Sequence, residues 1–342
     1  MKSPFSNLGV TLPVLAAPMA GGPSTPNLVA AAARVGGLGF VPGGYVSTAD
    51  LAERIDQTRS QTDAFGVNLF VPQPLPIEAA AFRDYAWMLQ PEADRYGIDL
   101  RGLDPVEDDD EWATKVDLLL SQPVPVVSFT FGLPDPGTIA ALRRAGTLTV
   151  QTVTSPDEAR SAQAAGVEVL IVQASAAGAH SGSFTPQRLV ERPITALVTA
   201  VRAVTSLPLI AAGGLSTPEK VAAVLSAGAD AVLVGTALLR ADESGTSAVH
   251  RSALAAARGP TVLTRAFTGR PARALPNQFT ERYSDHAPFG FPAIHHLTIG
   301  LRRAAAAAGD GERVHLWAGT GYRDAVDGPA GAILTELAAK AD

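Results

Sequence analysis

One unit recurs four times along this chain, and it limits what the chain can fold into. A capping residue is followed by proline, nine mostly helix-forming residues, glycine and a β-rich run, starting at Thr25, Asp135, Ser155 and Thr217. The proline-to-glycine interval is the same each time: Pro26 to Gly36, Pro136 to Gly146, Pro156 to Gly166 and Pro218 to Gly228. A Ser, Thr or Asp side chain can accept from the free N–H groups of a first helical turn, and proline at the first helical position loses no hydrogen bond. Ser155 with Glu158 also has capping-box spacing. Glycine ends each helix in a left-handed conformation that a Cβ would penalise. The runs that follow (38–41, 147–151, 169–173 and 231–234) are continuously apolar, as in a parallel strand covered on both faces.

Four more apolar runs, at 14–17, 64–69, 124–129 and 208–211, bring the strands to about eight, alternating with helices. That is the pattern of an α/β protein with a (β/α)8 TIM barrel. A doubly wound open sheet is the structural alternative, but the repeat fills roughly the length that a barrel needs. The expected organisation is a barrel over 1–257 with an excursion at 72–122. A smaller cap segment follows the eighth strand at 258–321, beside the barrel mouth, and a C-terminal helix over 322–342 packs back. The excursion holds the acidic run Glu107 to Glu111 and the tryptophans Trp87 and Trp112; the cap segment is rich in Arg, His, Phe and Pro.

Composition removes whole classes of chemistry. The 342 residues include no cysteine, which excludes disulfides, thiolate nucleophiles and iron–sulfur clusters. A formal charge of −6 leaves no basic footprint for nucleic acid. No apolar run reaches membrane-spanning length and the start lacks a secretory h-region, so the expected location is cytoplasmic, without membrane. Only four lysines occur and none falls at a strand end, which disfavours Schiff-base chemistry. No strand end carries paired carboxylates. His295 and His296 are adjacent and diverge on either a helix or a strand, so no metal is expected there. The run at 36–44 mimics a dinucleotide fingerprint, but its glycines are misplaced and it contains a strand instead of following one.

In a barrel, chemistry sits at the C-terminal strand ends. Those positions hold APMAGG at 17–22, Asn68, a small-residue loop from Gln173 through Gly178, Ala179 and His180, the pair Gly213–Gly214, and Gly235–Thr236. The last two sites lie on the loops after strands seven and eight, where glycine backbones can cradle a phosphate. The remaining groups are amides, glycines and one histidine, which leaves the chemistry to a phosphorylated cofactor. His180, at the mouth of strand six, is the candidate general base or anion partner.

In this order, APMAGG, FGVN, PVVSFTFG (125–132), the 173–180 loop, AAGG, VGT, FTGRPARALPN (267–277) and HLWAGTG (315–321) resemble the nitronate monooxygenases. The resemblance covers nearly the whole chain and implies an FMN-dependent barrel monooxygenase. Such an enzyme oxidises an alkyl nitronate or nitroalkane with molecular oxygen to a carbonyl compound and nitrite. It implies that Ala17, Pro18 and Met19 lie against the flavin ring, and that Asn68 and Gln173 contact its pyrimidine side. Gly178 and Ala179 then lie near the phosphate, Gly213, Gly214, Gly235 and Thr236 cradle it, and His180 stands over the flavin. The family's strand-six loop usually reads Gln-Gly-x-Glu-Ala-Gly-Gly-His; here Ala174, Ala176 and Ala179 replace Gly, Glu and Gly. The alternative is an NAD(P)H-dependent flavin reductase of the same architecture, acting on an enoyl thioester or a quinone. The partners expected are small molecules, with a homo-oligomer compatible with the sequence. Arg270, Arg273 and Tyr322 are candidate cap residues for substrate contact.

Overall fold

A computed structural model describes residues 5–341. Residues 1–4 and 342, at the outer ends of the expected segments 1–257 and 322–342, lie outside the described residues. Eight parallel strands close into a barrel: β1 (Val14–Ala16), β2 (Gly39–Pro42), β3 (Phe65–Phe70), β4 (Val126–Thr130), β5 (Leu148–Val153), β6 (Val169–Gln173), β8 (Leu209–Ala212) and β9 (Ala231–Val234). Closure comes from β1 pairing β9, with Val14 opposite Val232 and Ala16 opposite Val234. The protein is a (β/α)8 TIM barrel. Inside it Leu15, Phe40, Val150, Ile171, Ile210 and Leu233 form a buried apolar core.

The repeated unit forms as its chemistry requires. Helices α1 (Pro26–Arg34), α5 (Pro136–Arg144), α6 (Pro156–Ala165) and α8 (Pro218–Ser226) each carry a side-chain N-cap, from Thr25, Asp135, Ser155 and Thr217 respectively. The terminating Gly36, Gly146, Gly166 and Gly228 all take positive φ, between 79° and 109°. The capping box at Ser155 does not close. The Glu158 carboxylate accepts from the backbone N–H of Thr154, and its other oxygen accepts from Ser183 Oγ and Phe184 N–H. Glu158 therefore anchors the loop after β6, and the Ser155 N–H has no partner among the described residues.

The other helices are α2 (Thr48–Arg59), α3 (Ala79–Ala93), α4 (Trp112–Ser121), α7 (Ile194–Arg202), α9 (Ala248–Ala256), α10 (Gln278–Tyr283), α11 (Ala293–Ala307) and α12 (Ala330–Leu337). The stretch 72–122 divides. Its second helix, α4, takes the ring position between α2 and α5, whereas α3 leaves the barrel and packs on α11. Phe82, Tyr85 and Leu89 of α3 share one core with Phe267, Phe279, Ile294, Leu297 and Leu301. Helix α12 packs against α1, α8 and β1.

A second, three-stranded antiparallel sheet joins β7 (Ala179–His180) to β11 (Ala272–Ala274), which also pairs β10 (Val262–Thr264). The loop expected to carry His180 thus contains a short strand, with His180 opposite Ala272. This sheet ties the segment after the barrel to the mouth of β6. Among the described residues no helix is long and apolar enough to cross a membrane.

Candidate active site

The C-terminal strand ends converge on one cavity of about 480 Å³, open to solvent on one side. Every strand-end residue singled out by sequence lines it: Ala17, Pro18 and Met19 after β1, Asn68, Gln173, Gly178, Ala179 and His180, Gly213 and Gly214 after β8, and Gly235 and Thr236 after β9. Asn68 lies within β3 and not beyond it. Its Nδ2 donates to Ser128 Oγ (2.9 Å) and Thr130 Oγ1 (3.1 Å), which orients the amide across the barrel mouth. Gln173 is committed to its own loop: Nε2 donates to the His180 carbonyl and Oε1 accepts from the Gly182 N–H.

One end of the cavity is made of bare backbone. Gly213 has φ +110°, and a Cβ there would stand 2.8 Å from the Ala174 carbonyl oxygen. A third turn, missed as a site by sequence reasoning, closes over this end. Gly319 donates to Thr236 Oγ1 (2.9 Å), Thr320 donates to the Ala176 carbonyl, and a Cβ on Gly178 would lie 2.6 Å from Gly319 N. The N–H groups of Gly214, Gly235 and Thr236 have no hydrogen-bond partner among the described residues. Free N–H groups on side-chain-free turns, one of them opening a 3-10 turn at Thr236–Leu238, suit a phosphate. The residues present fit the phosphate end of a flavin mononucleotide.

The opposite wall is aromatic and cationic. Tyr45 stacks on His295 at 4.2 Å and 4°. Phe291 meets His180 edge-on at 5.8 Å. Trp317 lies between His180 (5.5 Å) and His315 (5.3 Å). Tyr45 and Phe131 hold left-handed backbones, with φ of 63° and 82°. That conformation costs an aromatic residue free energy, and it turns both rings toward the cavity. Tyr45 is secured through its N–H, which donates to Asp110 Oδ1; Asp110 in turn pairs with the buried Lys115. Burial pushes the Asp110 carboxyl up to about 6. Strand-end inspection extended to β2 and β4 would have found Tyr45 and Phe131. His295, Arg302, His315 and Trp317 come from the later segment, where no repeat marks them.

Among the described residues the His180 ring has one hydrogen-bond partner. Its Nε2 lies 2.9 Å from Thr268 Oγ1, and that hydroxyl donates its only proton to the Arg270 carbonyl. With that proton on the Arg270 carbonyl, the threonine oxygen accepts from Nε2–H and Nδ1 is left with a lone pair. Burial, with Arg270 and Arg302 nearby, pushes the His180 pKa down to about 3. The ring is neutral at pH 7. Arg270 is fully buried behind this wall, bonded to Gln73, Ser181 and Ser183 with its guanidinium 4.0 Å over Phe131. Arg273 and Tyr322 serve loops instead, bonding the Ser175 and Gly259 carbonyls, and none of the three lines the cavity. Among the described residues no cluster of metal-ligating side chains occurs.

Comparison with known proteins agrees with this geometry. The family profile for nitronate monooxygenase matches residues 2–340. The chain belongs to the nitronate monooxygenase family. A probable nitronate monooxygenase of Staphylococcus aureus (strain Newman) is 35% identical over 340 residues, covering 96% of this chain and 94% of that protein. The solved nitroalkane oxidase of Streptomyces ansochromogenes is 44% identical with a TM-score of 0.89, covering 98% and 97% of the two chains. FabK of Thermotoga maritima is more distant, at 26% identity and a TM-score of 0.75 over 98% and 95%.

Membership of the nitronate monooxygenase family makes the chain an oxidoreductase and implies a flavin as its redox group. Ala176, where the resemblance would place a glutamate, is not among the residues that hold His180. Ala176 lies under Gly214 and its carbonyl receives Thr320, on the glycine-turn side, whereas Thr268 holds the histidine.

Proposed function

We propose that this protein oxidises alkyl nitronates, or the parent nitroalkanes, with FMN as cofactor and molecular oxygen as oxidant, giving a carbonyl compound and nitrite. The observation that carries the reading is the pairing, in one cavity, of side-chain-free turns able to take a phosphate with a neutral, singly anchored His180. FMN bound there supplies the electron transfer between substrate and oxygen that no side chain of this protein can perform. Gly213, Gly214, Gly235 and Thr236 would hold its phosphate, with Gly319 closing the cradle, and Ala17, Pro18 and Met19 would lie against its ring. Asn68 and Gln173 stand at the barrel mouth, on the side assigned to the pyrimidine edge.

His180 acts through Nδ1, whose lone pair takes the α-proton of a neutral nitroalkane while Thr268 holds Nε2–H. A nitronate arrives already deprotonated and needs no base. The aromatic wall of Tyr45, Phe131 and Trp317 offers the reacting carbon an apolar surface. The protein is expected to be yellow as purified and to release nitrite when a nitronate is added in air. A colourless protein that ignores added FMN would end this reading. Rapid anaerobic bleaching by NADH or NADPH, without nitrite release, would favour the reductase.

A further inference from the structure

We propose that Arg302, His295 and His315 form a clamp for the O–N–O end of the substrate, in which Arg302 is the positioning residue and the two imidazoles present Nε2–H groups to the two oxygens. The proposal rests on the function given above and adds a binding site for the charged end of its substrate.

The argument begins with what a guanidinium can do. It donates through five N–H groups and accepts nothing. Arg302 sends Nε to Thr298 Oγ1 (3.0 Å), Nη1 to His315 Nδ1 (3.3 Å), and Nη2 to His295 Nδ1 (3.2 Å) and the His295 carbonyl (3.1 Å). Both Nδ1 atoms must therefore be lone pairs. Burial and the Arg302 charge keep both rings neutral, with pKa values well below the usual histidine range. A neutral imidazole with a bare Nδ1 carries its proton on Nε2. One arginine thus sets the tautomer of two histidines.

These two donors are available. Both rings line the cavity, and among the described residues neither Nε2 has a hydrogen-bond partner. Neither Nε2 is among the fully buried polar atoms that lack a partner. The Tyr45 stack fixes the plane of His295. Charge points the same way. Arg302 is 4% exposed, has no ion-pair partner among the described residues, and the cavity lining contains no carboxylate. A buried cation without a counter-ion is costly, and an anion placed on the imidazoles it polarises offsets that cost. The oxygens of a nitronate carry such a charge. Seated in the clamp, they leave the substrate carbon toward His180, across Trp317.

The test uses the FMN-loaded protein and nitrate, a planar oxyanion with the same O–N–O geometry that is not turned over. Calorimetric titration is expected to show nitrate binding, weakened about tenfold or more in Arg302→Met. His315→Gln keeps a donor and is expected to retain binding, whereas His315→Leu loses it. The nitronate KM should rise with the same ranking while FMN content stays constant, a split that general loosening of the fold would not produce. Nitrogen NMR of the unsubstituted protein gives a readout independent of any variant: both Nδ1 atoms should show the unprotonated shift. Finding the proton on Nδ1, or unaltered nitrate binding in both Arg302→Met and His315→Leu, overturns the clamp. If nitrate binds as expected but no nitronate is oxidised, the clamp stands and the proposed reaction falls. If nitrite is released while the variants keep their KM, the reverse holds.

Discussion

At the scale of single residues, the site is governed by histidines kept neutral by burial. The pKa of His180 is pushed down to about 3 and that of His250 to about 4, with His295 and His315 also well below the usual range. An unfolded chain regains a histidine pKa near 6.5, so between these values the unfolded state binds more protons and stability rises with pH. Stability is therefore complete above about pH 6.5 and declines as the pH falls toward 3. At pH 5 His180 and His250 should together take up about two protons on unfolding, His295 and His315 act in the same direction, and Asp110, whose raised pKa works in the opposite sense, offsets about one. Denaturant midpoints at pH 7 and pH 5 measure this, and equal midpoints would contradict it. Two substitutions separate the parts of the His180 arrangement. With a neutral nitroalkane as substrate, His180→Ala should keep the flavin and reduce turnover about 100-fold or more, while Thr268→Val, which frees the ring but leaves it in place, should cost about tenfold in kcat. The identity of His180 was legible in the sequence from its strand-end position. Its Nε2–H tautomer was not, because Thr268 reaches it only through the pairing of β7 with β11.

At the scale of elements, the glycine turns after β8 and β9 are the parts the sequence described best, because proline, cap and glycine fix the helix start and stop independently of the rest of the molecule. The turns differ in tolerance. Gly213→Asp places a Cβ 2.8 Å from the Ala174 carbonyl and a carboxylate beside the phosphate position, so FMN retention should be abolished. In Gly235→Ala the new Cβ meets Met19 Sδ at 3.4 Å, an ordinary contact with a flexible side chain, and flavin content should stay within about twofold of the parent. Flavin absorbance per protein in the two variants checks the contrast; equal retention would misplace the phosphate. The third turn, at Gly319, escaped sequence reasoning because its partner Thr236 is distant in the chain and no local pattern announces their contact.

At the scale of the whole molecule, the closed barrel was legible because each repeated unit buries its strand against its own helix and its neighbours. The joint between α3 and α11 was not legible, since Leu89, Phe267, Phe279 and Leu297 meet through tertiary packing and carry no shared period. That joint sets the position of α11, and with it His295 and Arg302, above a cradle built from the barrel loops and the Gly319 turn. Leu89→Ala should cost about 2–4 kcal/mol of stability in thermal or denaturant unfolding while leaving FMN content unchanged. Loss of flavin in that variant would mean that the two halves of the cavity are not built separately. The most direct measurement of the whole account is nitrite release when the FMN-loaded protein meets a nitronate in air. Nitrite should appear in proportion to the nitronate consumed and be strongly reduced in His180→Ala when the neutral nitroalkane is supplied instead; a flavin-loaded protein that leaves the nitronate intact and forms no nitrite would contradict it.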